Sequence, residues 1–179
     1  MRLFIALDLP EAVAAEVRGL CQGLPHVRWS NPEQLHLTLR FLGEVPEEEV
    51  AALRARLETV VSPPFELGLR GVGVFPPKRR PARVLWAGVA PHEPALALKA
   101  AVDNALGPDP EAAGRAFSPH LTLARLREDP RAALDAYLKE RAGFTGARWS
   151  VDAFHLYQST LGPDGARHDL VQRYPLRSR

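Results

Sequence analysis

His36-Leu37-Thr38-Leu39 occurs a second time in this chain, as His120-Leu121-Thr122-Leu123. On a β-strand, alternate side chains point to opposite faces. Each copy therefore turns a histidine and a threonine to one face and two leucines to the other, making one face chemical and the other suited to burial. A chain that builds this device twice is equipped to bring two imidazoles to one place.

Working outward, the residues between the copies repeat as well. Arg2 to Leu9 reads as an apolar strand, and Pro10 opens a helix carried by Ala12, Val13, Ala15, Val17 and Leu20. A short extended piece (Val27 to Ser30) and a turn at Asn31-Pro32 lead into the first motif strand, Leu35 to Leu42. Pro46-Glu47-Glu48-Glu49 starts a second helix, its acids complementing the helix dipole. Phe65 to Val74 alternates as a strand, and the proline-rich basic loop Pro76-Pro77-Lys78-Arg79-Arg80-Pro81 follows. The order then starts again: a strand from Arg83 to Val89, a helix opened by Pro91, a loop from Gly107 to Gly114, and the second motif strand from His120 to Leu126. A helix opened by Pro130, a long strand from Trp149 to Ser159 and another from Arg167 to Leu176 complete the chain. Pro46 and Pro130 keep the same spacing as His36 and His120. This is the pattern of an internal duplication, with repeats of roughly 1–75 and 82–160. The expected fold is α+β: a single two-lobed domain, residues 1–179, of two pseudo-symmetric lobes. Each lobe has an antiparallel sheet covered by helices, and the active-site cleft lies between them.

Bulk properties narrow the function. The chain has 179 residues and 46% hydrophobic content, enough for a real core. Its net charge of +2 permits an anionic partner without demanding one. A lone cysteine, Cys21, excludes a disulfide within the chain and argues against a cysteine zinc site. Asp8, Pro10 and Glu11 interrupt the apolar N-terminal run too early for a signal peptide, and no stretch approaches the ~20 apolar residues of a membrane span. A soluble, cytoplasmic monomer with no membrane partner is expected.

A histidine on a half-buried strand is most often a packing residue, but two in matching positions of a repeat point to function. His-x-Thr is not a metal-ligand spacing and no carboxylate adjoins either copy, so no metal or cofactor is expected. Arg40 shares the His36 face by strict alternation, while Arg125 would lie opposite His120 unless a bulge intervenes. Phe4, Trp29 and Tyr157 are candidates for stacking a base, and Lys78-Arg79-Arg80 for following a nucleic-acid backbone. His155 and His168 fall on expected strands without an assignable partner.

The stretches His36-Leu37-Thr38-Leu39-Arg40-Phe41-Leu42-Gly43 and Phe117-Ser118-Pro119-His120-Leu121-Thr122-Leu123-Ala124-Arg125 resemble the two-histidine phosphoesterase superfamily. Within it, the chain resembles the RNA 2',3'-cyclic phosphodiesterases, also called 2'-5' RNA ligases. The opening Arg2-Leu3-Phe4-Ile5-Ala6-Leu7 fits, as does Gly73-Val74-Phe75-Pro76 ahead of Val84-Leu85-Trp86. The resemblance implies a substrate, RNA with a 2',3'-cyclic phosphate end (tRNA fragments among the candidates), opened without a metal to leave a 2'-phosphate. It also implies possible 2'-5' ligation in reverse, His36 as proton donor, His120 as proton acceptor and Arg125 as a phosphate contact. Thr38 and Thr122 would donate to the phosphoryl oxygens, and Arg40 is a second candidate contact. The residues alone do not distinguish the two histidine roles. A phosphodiesterase for small cyclic nucleotides and a non-catalytic module binding RNA ends are the alternative readings.

Overall fold

The computed structural model describes residues 1–76, 81–109, 116–127, 130–162 and 165–178. The elements follow in the order β1 (Arg2–Asp8), α1 (Glu11–Leu20), β2 (Val27–Trp29), a 3-10 turn (Pro32–Gln34), β3 (His36–Glu44), α2 (Glu47–Glu58) and β4 (Phe65–Phe75). Then come β5 (Val84–Ala90), α3 (Glu93–Leu106), β6 (His120–Leu126), α4 (Arg131–Glu140), β7 (Thr145–Val151), β8 (Ala153–Gly162) and β9 (Gly165–Pro175). The expected strand from Trp149 to Ser159 is in fact two, β7 and β8, which pair with different neighbours and part at Asp152. The basic run Lys78-Arg79-Arg80 and part of the Gly107–Gly114 loop lie outside the described residues.

The strands pair antiparallel in the order β7-β4-β5-β6-β3-β1-β8-β9, with β2 added to β6. The two motif strands are therefore neighbours at the middle of one continuous sheet. They meet at one residue pair, Leu37 with Leu121, and diverge from it on both sides. Each half of this sheet mixes strands of both repeats, β4 joining β5 and β6 in one and β8 joining β1 and β3 in the other. The repeats interlock across it. Strand β4, the last of the first repeat, pairs with β5 of the second, while β8 returns to pair with β1.

The helices are exchanged between repeats as well. On α1, Val13, Ala14, Val17 and Leu20 form a buried stripe, and its end meets α4 where the Tyr137 hydroxyl donates to the Leu20 carbonyl at 2.6 Å. Helix α2 packs instead with α3, where Arg56 Nε donates to the Ala105 carbonyl at 2.9 Å. The leucines of the motifs face these helices: Leu37, Leu39, Leu121 and Leu123 are at most 2% exposed and belong to one core with Ile5, Leu85 and Leu98. Each fully buried leucine contributes ~1.5–3 kcal/mol, so the sheet is held in register from the side opposite the histidines.

Strand β1 reads as five consecutive buried residues, Leu3 to Leu7, because it is covered on both faces. Helices cover one face. The other is covered by the outer part of the β8–β9 hairpin, which folds back over the sheet. A register shift between Leu156 and Tyr157 bends this hairpin. As a result the His168 ring of β9 lies 4.8 Å from Phe4 of β1 and 5.1 Å from His36 of β3, three strands away in the sheet order.

Candidate active site

The face opposite the leucines collects the polar motif residues. With Leu37 opposite Leu121, His36 falls across from Thr122 and Thr38 across from His120, and all four share one face. The histidines lie on one diagonal of this arrangement and the threonines on the other, so a pseudo-two-fold axis passes through the leucine pair. Neither threonine hydroxyl is engaged in a hydrogen bond among the described residues.

Each imidazole is held in the same way. His36 Nδ1 lies 2.7 Å from the Gln34 carbonyl oxygen, and His120 Nδ1 lies 2.7 Å from the Ser118 carbonyl oxygen. A carbonyl only accepts, so Nδ1 carries the proton and donates, leaving Nε2 of the neutral ring as a lone pair. Both brackets reach two residues back along the chain. Aromatic rings complete each setting: Phe4 lies 4.9 Å from His36, and Phe75 lies 5.0 Å from His120, edge to face. Burial lowers the pKa of His36 to about 4, its Gln34 bond opposing and nearby His168 adding to the fall. Burial lowers that of His120 as well. Both rings are thus neutral at pH 7 and able to accept a proton.

The family model for the 2'-5' RNA ligase superfamily matches residues 8–163. The chain belongs to the 2'-5' RNA ligase superfamily. It is 38% identical to an RNA 2',3'-cyclic phosphodiesterase of Thermus thermophilus, over 99% of this chain and 91% of that protein. It is 36% identical to one of Archaeoglobus fulgidus, over 92% and 94%. Among solved structures, TT0787 of Thermus thermophilus superimposes with a TM-score of 0.80 at 34% identity, covering 99% of both chains. Escherichia coli LigT complexed with 3'-AMP does so with a TM-score of 0.76 at 26% identity, covering 99% of this chain and 98% of that one.

Two further features of this superfamily member depend on paired bulges. In the β1–β3 ladder Ile5 faces Arg40 and Ala6 faces Thr38, leaving Leu39 as an extra residue. In the β5–β6 ladder Leu85 faces Ala124 and Trp86 faces Thr122, leaving Leu123 extra. A bulge turns two successive residues to the same side, and Leu39-Arg40 and Leu123-Ala124 are accordingly both buried pairs. Arg125 thereby returns to the histidine face and is exposed. The same device removes Arg40 from that face, correcting its expected placement beside His36. Arg40 is 7% exposed and inserts on the helix side. There it pairs with Asp103 of α3 at 3.0 Å and donates to the Gly107 and Pro108 carbonyls at 2.7 and 3.0 Å. Phe41 takes its place on the histidine face, exposed, at the position matching Arg125.

Of the stacking candidates, Phe4 and Tyr157 stand opposite each other on the site face, their rings stacked at 5.4 Å. Trp29 lies off it, beside Ala124 on β2. Alternation alone missed a cluster around His36. Asp8, opposite His36 in the ladder, accepts from the Tyr157 hydroxyl at 2.7 Å and lies 3.3 Å from His155 Nδ1. Burial, reinforced by this bond, raises the Tyr157 pKa. A pocket beside His36 is lined by Phe4, Asp8, Gln34, Tyr157 and His168. The bend in the hairpin, which carries no local signal, brings His168 there. On the His120 side the Trp86 ring packs against Gly73 of β4, where a Cβ would lie 2.2 Å from a ring carbon. Among the described residues no group of three or more histidine, cysteine or acidic side chains is placed to hold a metal ion, and no helix is long and apolar enough to cross a membrane.

Proposed function

We propose that this chain hydrolyses RNA 2',3'-cyclic phosphate ends to 2'-phosphate ends without a metal, using His36 and His120 as acid and base. The observation that supports it best is the matched pair of Nδ1–carbonyl brackets, one in each repeat, on one sheet face. Each leaves Nε2 as the reactive atom, and two such atoms on either side of a phosphorus serve in-line displacement.

The step proceeds as follows. His120 Nε2 takes a proton from water while the water oxygen bonds to phosphorus. The bond from phosphorus to the 3'-oxygen breaks, and His36, protonated at Nε2, gives its proton to that oxygen. The products are a 2'-phosphate and a free 3'-hydroxyl, and solvent restores the two rings. Substrate charge favours the protonated form of one ring, and repulsion disfavours protonating both. Thr38 and Thr122 donate to the non-bridging oxygens, where charge grows, and Arg125 supplies a fixed cation. A 5'-hydroxyl in place of water would yield a 2'-5' linkage, the ligation that the superfamily's name describes. The relatives' shared name, RNA 2',3'-cyclic phosphodiesterase, supports RNA as the substrate class.

The test is a 5'-labelled oligonucleotide with a 2',3'-cyclic end, incubated with the protein in EDTA. Conversion to a 2'-phosphate is expected. A 3'-phosphate product, or activity abolished by EDTA and restored by a metal, would overturn the mechanism.

A further inference from the structure

We propose that Arg28 binds the phosphodiester one nucleotide upstream of the reacting phosphate, so that the cleft selects RNA ends over mononucleotides. The inference rests on the cyclic-phosphodiesterase reading and names the determinant of its substrate class. Arg28 lies on β2 directly opposite Arg125 of β6. Residues paired across a ladder share a face, so Arg28 projects to the side on which the Leu123 bulge places Arg125, the side of His120 and Thr122. Both arginines are exposed, and neither has a carboxylate partner among the described residues. Other arginines of this chain do: Arg148 with Glu66 at 3.1 Å and Arg173 with Asp152 at 3.1 Å. Like charges directly opposite in a sheet destabilise it. Two unneutralised guanidiniums side by side at the edge of a phosphate-handling cleft therefore suit an anion with more than one phosphate.

The folded-back hairpin locates the Arg28 head group. Gly165 of β9 passes over it, with a Cβ at that residue only 2.8 Å from Arg28 Nη2, and its φ of +125° suits glycine. The guanidinium is thus beneath the same hairpin that lays His168 on His36. Three residues of strand, about 10 Å, separate Thr122 from Arg125 and Arg28. That places the second cation beyond the phosphoryl group held at the threonines. An RNA ending in a cyclic phosphate has its next phosphate on the 5' side of its terminal nucleoside. A 2',3'-cyclic mononucleotide has none there.

The experiment compares wild type, Arg28→Gln and Arg28→Lys on two substrates, a trinucleotide ending in a 2',3'-cyclic phosphate and cytidine 2',3'-cyclic phosphate. It also measures binding of the corresponding 2'-phosphate products as a function of salt. Wild type is expected to prefer the trinucleotide. Arg28→Gln should lose at least tenfold more kcat/KM on the trinucleotide than on the mononucleotide, and Arg28→Lys should recover most of it. The slope of log affinity against log salt for the trinucleotide product should fall by ~0.7 in Arg28→Gln. Equal losses on both substrates, or none on either, would overturn the proposal. Wild type that turns over neither substrate would overturn the cyclic-phosphodiesterase reading instead. Arg28 would still be decided by binding, since trinucleotide product held as tightly by Arg28→Gln as by wild type sinks it.

Discussion

His36 and His120 carry the same backbone bracket but different neighbours, and burial more than either sets their titration. Each has an aromatic ring against it, but only His36 also has a second imidazole, His168, at 5.1 Å. Burial lowers both pKa values, that of His36 to about 4, against an ordinary value of ~6.5. The proposed mechanism needs one ring protonated and the other neutral. With both values depressed, that singly protonated pair peaks on the acid side of the ordinary value and declines as pH rises. The pH profile of kcat/KM, which reports the free enzyme, should therefore have its maximum below pH ~6.5. A maximum at pH 8 would show that the rings titrate otherwise. The four motif residues were legible from alternation alone, because a period of two assigns faces wherever a strand is regular. Arg40 was not. A leucine fits a bulge as well as a regular strand position, so nothing local announces that Leu39 is the extra residue.

At the level of elements, the paired bulges decide which arginine faces the histidine side and which anchors the fold. Arg40 joins β3 to the end of α3 in a network in which Asp103 also accepts from Lys99 at 2.7 and 2.6 Å. Removing one partner from a buried ionic network leaves charge uncompensated. Arg40→Met should cost about 3 kcal/mol in a urea titration while keeping kcat/KM within a few-fold, because Arg40 lies on the leucine side. Unchanged stability with activity lost would return Arg40 to the substrate. Element starts were largely readable from proline and the acidic turn at Glu47-Glu48-Glu49. The break at Asp152 and the fold-back of β8–β9 were not, since both depend on which strands lie alongside.

Across the whole molecule, the duplication is interlocked rather than laid side by side. Strand β4 crosses to β5, β8 returns to β1, and the helices pair across repeats. Neither repeat buries its own apolar face alone, so the chain should unfold as a unit. Urea transitions followed by tryptophan fluorescence and by far-ultraviolet circular dichroism should coincide. Two separated transitions would show independent lobes. A constant offset between matching residues reveals that a unit recurs, but strand exchange depends on contacts between the copies, which periodicity does not encode. The same interlock sets β3 against β6, and with them the two imidazoles on one face. That both act on one phosphorus is the central claim, and single-turnover kinetics on a labelled oligonucleotide with a 2',3'-cyclic end test it most directly. His36→Ala and His120→Ala should each slow conversion by ~10²–10⁴ or more, with the fold intact by circular dichroism. A rate within tenfold of wild type in either variant would contradict it.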